Sequence, residues 1–295
     1  MQKNFFMRPF YYTSLALAAL LIYSCSGNQE KDSTSKDTST SESTSKAQVT
    51  QTVSYNFPSA LQITSLFKKA GLQYMEGIAN TPKESSKFSS SFSKSLNLGI
   101  YGADLAYCVL SKQSQEANNY VKVTTELASD LGMNRVFNEG QFVQRFEKNI
   151  SNEDSLHDII TELQMETDTY LQDNDQMHVS AIAFSGAWIE VMYLGSKSFE
   201  QSKGRGLSDK IAEQMIYLSK IIAVLKSHEK KESGITDLTK ELNSLLDSYN
   251  GLESVKKSKA EIKEEDSGVI ISLTDEETDL LNKKIGELRA KFINS

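Results

Sequence analysis

The segment Tyr101-Gly-Ala-Asp104-Leu-Ala-Tyr107 sets a carboxylate in an apolar run, with a phenol three residues before it and another three after. Residues three and four apart share a helix face, so these polar groups project to one side. An acid buried there without partners is costly. The two phenols are expected to donate to it, and a base from another helix, such as Arg145 between Phe142 and Phe146, to pair with it. A second segment, Ile189-Glu190-Val-Met-Tyr193, lines up Glu190 with Asp104 and Tyr193 with Tyr107, a faint sign that two helices descend from one duplication. Trp188 stands beside it, as a core anchor or as the wall of a cavity. Tyr101, Asp104, Tyr107, Trp188, Glu190 and Tyr193 therefore form the candidate ligand site, or else a polar network that ties helices into one register.

Acids on two central helices can also hold metal, as in helical bundles that bind iron, but those bundles add Glu-x-x-His. No Glu here is followed by His three residues on. Asp154-Ser-Leu-His157 and Asp175-Gln-Met-His178 are the nearest approaches, so neither a metal nor a cofactor is expected. His157, His178 and His228 show no His-x-x-x-His pairing. Cys108 lies mid-helix with no local positive charge to activate a thiol, and reads as a small core hydrophobe. Lys203-Gly-Arg-Gly206 has a glycine pair before a helix, but no strand precedes it, so it reads as a loop rather than a phosphate cradle. No Gly-x-Ser-x-Gly or P-loop occurs, and no catalytic residue is assigned.

The elements that must position these residues are helices. Leu61, Phe67, Ala70, Tyr74 and Ile78 suggest a first helix after Pro58. Phe88, Phe92, Leu96, Gly99, Ala103, Ala106 and Leu110 mark one face of a second, and Gly99, Gly102, Ala103 and Ala106 make that helix easy to approach. A third runs from about Ala117 to Leu131 and stops at Gly132. Phe142, Phe146 and Ile150 form a fourth. Ser151 with Asp154 suggests a capping box for a fifth. The sixth, about Val179 to Leu194, is apolar nearly all round and should lie centrally, and a seventh runs from Ser208 to about His228. Alternating three-four spacings in Ile235–Leu252 and in Leu281–Phe292 predict a packed helical hairpin, the second helix opened by Thr274 with Glu277. The charge run between them, Lys256 to Asp266, reads as a solvated loop or helix end, and Gly268 to Leu273 as a short extended stretch. The fold class is all-α, a bundle of about eight or nine helices over residues 55–295.

Before residue 55 the composition changes. Lys3 and Arg8 precede an apolar run from Phe10 to Tyr23, too short for a span of about 20 residues, in the order of a secretory signal peptide. Ile22-Tyr23-Ser24-Cys25 resembles the lipobox of bacterial lipoproteins, which implies that residues 1–24 are removed and that Cys25 is acylated and anchors the chain in a lipid bilayer. Two or three acyl chains make such anchoring stable. Ser26 stands where the familiar inner-membrane retention signal would place Asp, which favours the outer membrane. No other apolar run is read as long enough to span. Residues 25–54 form a tether: from Ser33 to Ser45 ten of thirteen residues are Ser or Thr, too polar to repay the entropy of ordering. Losing Lys3 and Arg8 takes the net charge from −7 to −9, which argues against a nucleic-acid partner.

The stretches SLNLGIYGADLAYCVL, RFEKNISNEDSLHDII and FSGAWIEVMYL together resemble a family of helical lipoproteins of Bacteroidota, over about residues 55–255. The resemblance implies an envelope location and an all-α domain, and transfers no catalytic residues. The expected function is a membrane-anchored, non-enzymatic domain that binds a protein or another envelope component. The alternative is a small-ligand-binding or enzymatic bundle with its site at the acid–tyrosine pairs.

Overall fold

Helix ends in this chain are set by caps and by left-handed stops. A computed structural model describes residues 57–139, 141–261 and 271–293, all within the unit Val53–Ser295. The expected leader, Cys25 and the tether lie outside the described residues. Helix α1 (Ala60–Lys69) opens at Ser59, whose hydroxyl accepts the Gln62 N–H while the Gln62 side chain accepts the Ser59 N–H. It ends sooner than its apolar spacing suggests. Gly71 takes φ +112°, a conformation open to glycine, and Tyr74 and Ile78 fall in the irregular segment beyond. After a short 3-10 turn at Ser85–Lys87, α2 (Ser91–Leu110) starts from a Ser90–Ser93 capping box, leaving Phe88 just outside.

Helix α3 (Ser114–Asp130) is followed by Gly132 at φ +86°, as expected. A π-helical turn (Arg135–Glu139) leads to α4 (Phe142–Asn149). Helix α5 (Glu153–Asp173) is capped by Asn152, which accepts the Ser155 N–H, and not by Ser151. Helix α6 (Met177–Ser202) runs past both expected ends. Then come α7 (Arg205–Ser227), α8 (Gly234–Asn250) and α9 (Glu253–Glu261), which turns the first part of the charge run into a helix. Helix α10 (Asp275–Phe292) carries the expected Thr274–Glu277 capping box. Ten α-helices and no strand occur among the described residues; Ile271 to Leu273 are irregular. The α8–α10 hairpin forms and is antiparallel: the Ser254 N–H donates to Glu277 at one end, and Lys291 pairs with Glu241 further along.

Helix α6 is the axis. Its 26 residues are long and apolar enough to cross a membrane, contrary to the sequence reading, yet most of the helix is buried inside the bundle. Its closest neighbour is α2. A Cβ on Gly99 would stand 1.7 Å from the Ala183 carbonyl oxygen, and one on Gly186 would stand 2.1 Å from that of Leu96. The two backbones touch there because neither glycine has a side chain. Asp104 and Glu190 each follow this contact by roughly one helical turn, which brings them together.

Candidate functional site

The face of α2 that carries Tyr101, Asp104 and Tyr107 holds down the irregular segment between α1 and α2. The Tyr107 hydroxyl donates to the Gln73 carbonyl at 2.9 Å and accepts the Met75 N–H at 2.7 Å. The Tyr101 hydroxyl donates to Thr81 and accepts the Lys83 N–H. Tyr120 of α3 donates to the Asn80 carbonyl at 2.9 Å, and Asp104 Oδ2 accepts the Asn80 N–H at 3.2 Å. Six backbone polar groups that no helix satisfies are thus met by four side chains. The expectation that the two phenols donate to Asp104 is therefore wrong: their hydroxyls lie further out, on the strap of chain they secure. Burial pushes both phenols up to about 12, so they stay neutral donors.

Asp104 and Glu190 are fully buried and meet across the α2–α6 crossing. Arg289 of α10 closes a fork on Glu190, its Nε donating to Oε2 at 2.6 Å and its Nη2 to Oε1 at 2.8 Å. Asp104 Oδ1 receives no donor. Its link to Glu190 joins two acceptors unless one carboxyl keeps its proton. Burial, then the charge of Glu190, raises Asp104 well above the ordinary carboxylate range. Burial raises Glu190 as well, but the Arg289 fork opposes it. Both directions favour the protonated form of Asp104 beside the Glu190 carboxylate, an arrangement in which acid, carboxylate and guanidinium sum to zero charge. That balance is what makes burial of all three affordable.

The base expected to serve Asp104 is elsewhere. Arg145 pairs at the surface with Glu162, because α4 packs against α5 rather than against the α2–α6 crossing. Arg289 was missed although it lies four residues after Ile285 and three before Phe292, at core spacing; a long basic side chain in a polar helix reads as solvated. Tyr193, half-buried, stacks under the Arg289 guanidinium at 4.0 Å, so it does join the cluster. Trp188 is buried but is not among the groups that bond the acids. Cys108 is buried and its thiol is pushed up to about 12, chiefly by burial, as suits a core hydrophobe. With both acids at zero exposure, the acid–tyrosine pairs hold helices and a strap in register and present no surface to a substrate. Asp104, Glu190, Tyr101, Tyr107 and Tyr193 are brought together as a network, not as a pocket.

A pocket does exist, on the opposite face of α2. Leu98, Gly102 and Leu105 of α2, Leu163 of α5 and Ala183 and Phe184 of α6 are part of the wall of a half-open cavity of about 200 Å³. Phe57, the first described residue, stacks on Phe184 at 4.0 Å between ring centroids, and its carbonyl accepts from Gln164. Asp168 of α5 also reaches this wall, bonded at 3.0 Å by the Ser180 hydroxyl. Burial raises the Asp168 carboxyl, with Ser180 and Gln164 opposing. Gly102 draws notice in the sequence only as a small residue, and nothing there marks these side chains as a cavity wall, since a cavity needs several packed helices to define it. No group of three or more potential metal ligands gathers among the described residues. No protein family, curated protein or solved structure matches the chain.

Proposed function

We propose that the chain is an envelope lipoprotein whose helical domain is a binding module for a small, largely apolar molecule, and not an enzyme acting at the acid–tyrosine cluster. The observation that carries this reading is the contrast between the two faces of α2. On one face Asp104 and Glu190 are sealed at zero exposure, Asp104 bonded by the Asn80 N–H and Glu190 by Arg289. On the other a half-open apolar cavity of about 200 Å³ is left between α2, α5 and α6. A dry apolar cavity of roughly 150 Å³ is enough to accept benzene. Concave, mostly apolar sites with a few polar groups are the usual form of small-molecule sites.

The anchor rests on the sequence: the short apolar leader, the Cys25 lipobox and the Ser/Thr-rich tether support attachment to the outer membrane, in keeping with the resemblance to helical lipoproteins of Bacteroidota. Growth with labelled palmitate should label the chain, and Cys25→Ser should lose both label and membrane attachment while the domain stays folded. An unlabelled wild-type chain in the soluble fraction would overturn the anchor. For the cavity, Ala183→Phe should abolish binding of a benzene-sized probe measured by ligand-observed NMR. Equal binding by that variant would remove the site from the cavity.

A further inference from the structure

The cavity wall has a chemical bias. Among the described residues its one ionisable side chain is Asp168; the rest of the described wall is apolar apart from a few hydroxyls and the Gln164 amide. Among the described residues no lysine, arginine or histidine lines it, so a ligand carboxylate or phosphate would meet like charge there. Asp168 itself is short of compensation: it accepts the Ser180 hydroxyl at 3.0 Å, and no salt bridge to it occurs among the described residues. Such a carboxylate, partly withdrawn from water, is stabilised most by a charged donor.

Resting on the binding reading above, we propose that the cavity takes a small apolar amine, its ammonium on the Asp168 carboxylate beside Ser180 and its ring or chain against Leu98, Leu163 and Phe184. The stacked Phe57–Phe184 pair supplies an aromatic surface suited to a ring. The volume limits the ligand to a single ring or a short chain, by comparison with the cavity of roughly 150 Å³ that holds benzene.

Three near-isosteric probes test this on the full chain: phenethylamine, phenethyl alcohol and phenylacetate, titrated separately and followed by NMR. The amine should bind about tenfold or more tightly than the alcohol, and phenylacetate weakest of the three. In Asp168→Asn the advantage of the amine over the alcohol should disappear while alcohol binding persists. Equal affinity for amine and alcohol, or a preference for phenylacetate, overturns the amine assignment and leaves the cavity reading standing. Binding of none of the three overturns the cavity reading as well. Should Asp168→Asn fail to fold, the wild-type ranking decides the matter by itself.

Discussion

Glu190 of α6 receives both arms of the Arg289 fork from α10, and Asp104 of α2 is buried beside it with its Oδ2 on the Asn80 N–H. Three helices far apart in sequence thus meet at one buried cluster of polar groups. Low local dielectric makes such a cluster strong when complete and costly when broken.

Asp104→Ala removes the acceptor of the Asn80 N–H and the carboxyl beside Glu190, and should destabilise the fold by about 1–3 kcal/mol. Asp104→Asn keeps an acceptor for Asn80 and can still donate to Glu190, so it should cost much less. Thermal melts of the two variants check this, and equal losses would mean that the protonated carboxyl is not the donor.

The same pair of chains gives a pH test. Asp104 is raised in the folded state, so the folded chain keeps a proton that the unfolded chain gives up near the ordinary value of 3.8. Its contribution is complete below that value and is lost as pH rises through the raised folded value. The stability of wild type relative to Asp104→Asn should therefore fall with rising pH across this window, as read by denaturant midpoints. A difference that grows with pH would place the charge on Asp104 instead.

Arg289→Met strands the buried Glu190 carboxylate and should cost about 3–5 kcal/mol. Adding Glu190→Gln removes the stranded charge and should recover a large part of that loss. The double-mutant cycle measures the coupling directly, and additive losses would contradict a buried ion pair.

Two glycines one turn apart in α2 should respond with opposite sign. Gly99→Ala forces a Cβ into the Ala183 backbone and should cost about 1–3 kcal/mol or more. At Gly102 an added Cβ meets nothing within 4 Å and enters the cavity wall, so Gly102→Ala should stabilise by about 0.5–1 kcal/mol through helix propensity. Melting temperatures that move together would show that the α2–α6 contact is looser than described.

Tyr120→Phe leaves the Asn80 carbonyl without its donor and should cost about 1 kcal/mol. Amide exchange should speed up in residues 73–83 before anywhere else, because the strap is held by side chains and not by a helix. Exchange spread evenly over the bundle would deny the tyrosines this role.

Much of this architecture is written locally. The three-four spacing of Leu281, Ile285, Leu288 and Phe292, the Thr274–Glu277 cap and the left-handed stop at Gly132 are properties of neighbouring residues, and each is read from the chain alone. So is the need of Asp104 for partners, since an acid among apolar residues on a helix is costly wherever that helix goes. The partners themselves were not legible. Which base reaches the acids depends on how α10 docks against α6, and Arg145 and Arg289 look alike until that docking is known. The same is true of the phenols, whose targets are backbone groups of a segment whose apolar spacing reads as helix until Gly71 ends it. The cavity, with Asp168 on its wall, is the space left among several helices, and a space has no sequence of its own. Short-range sterics and capping decide elements, whereas pairing of buried charge and the shape of a void are sums over distant parts of the chain.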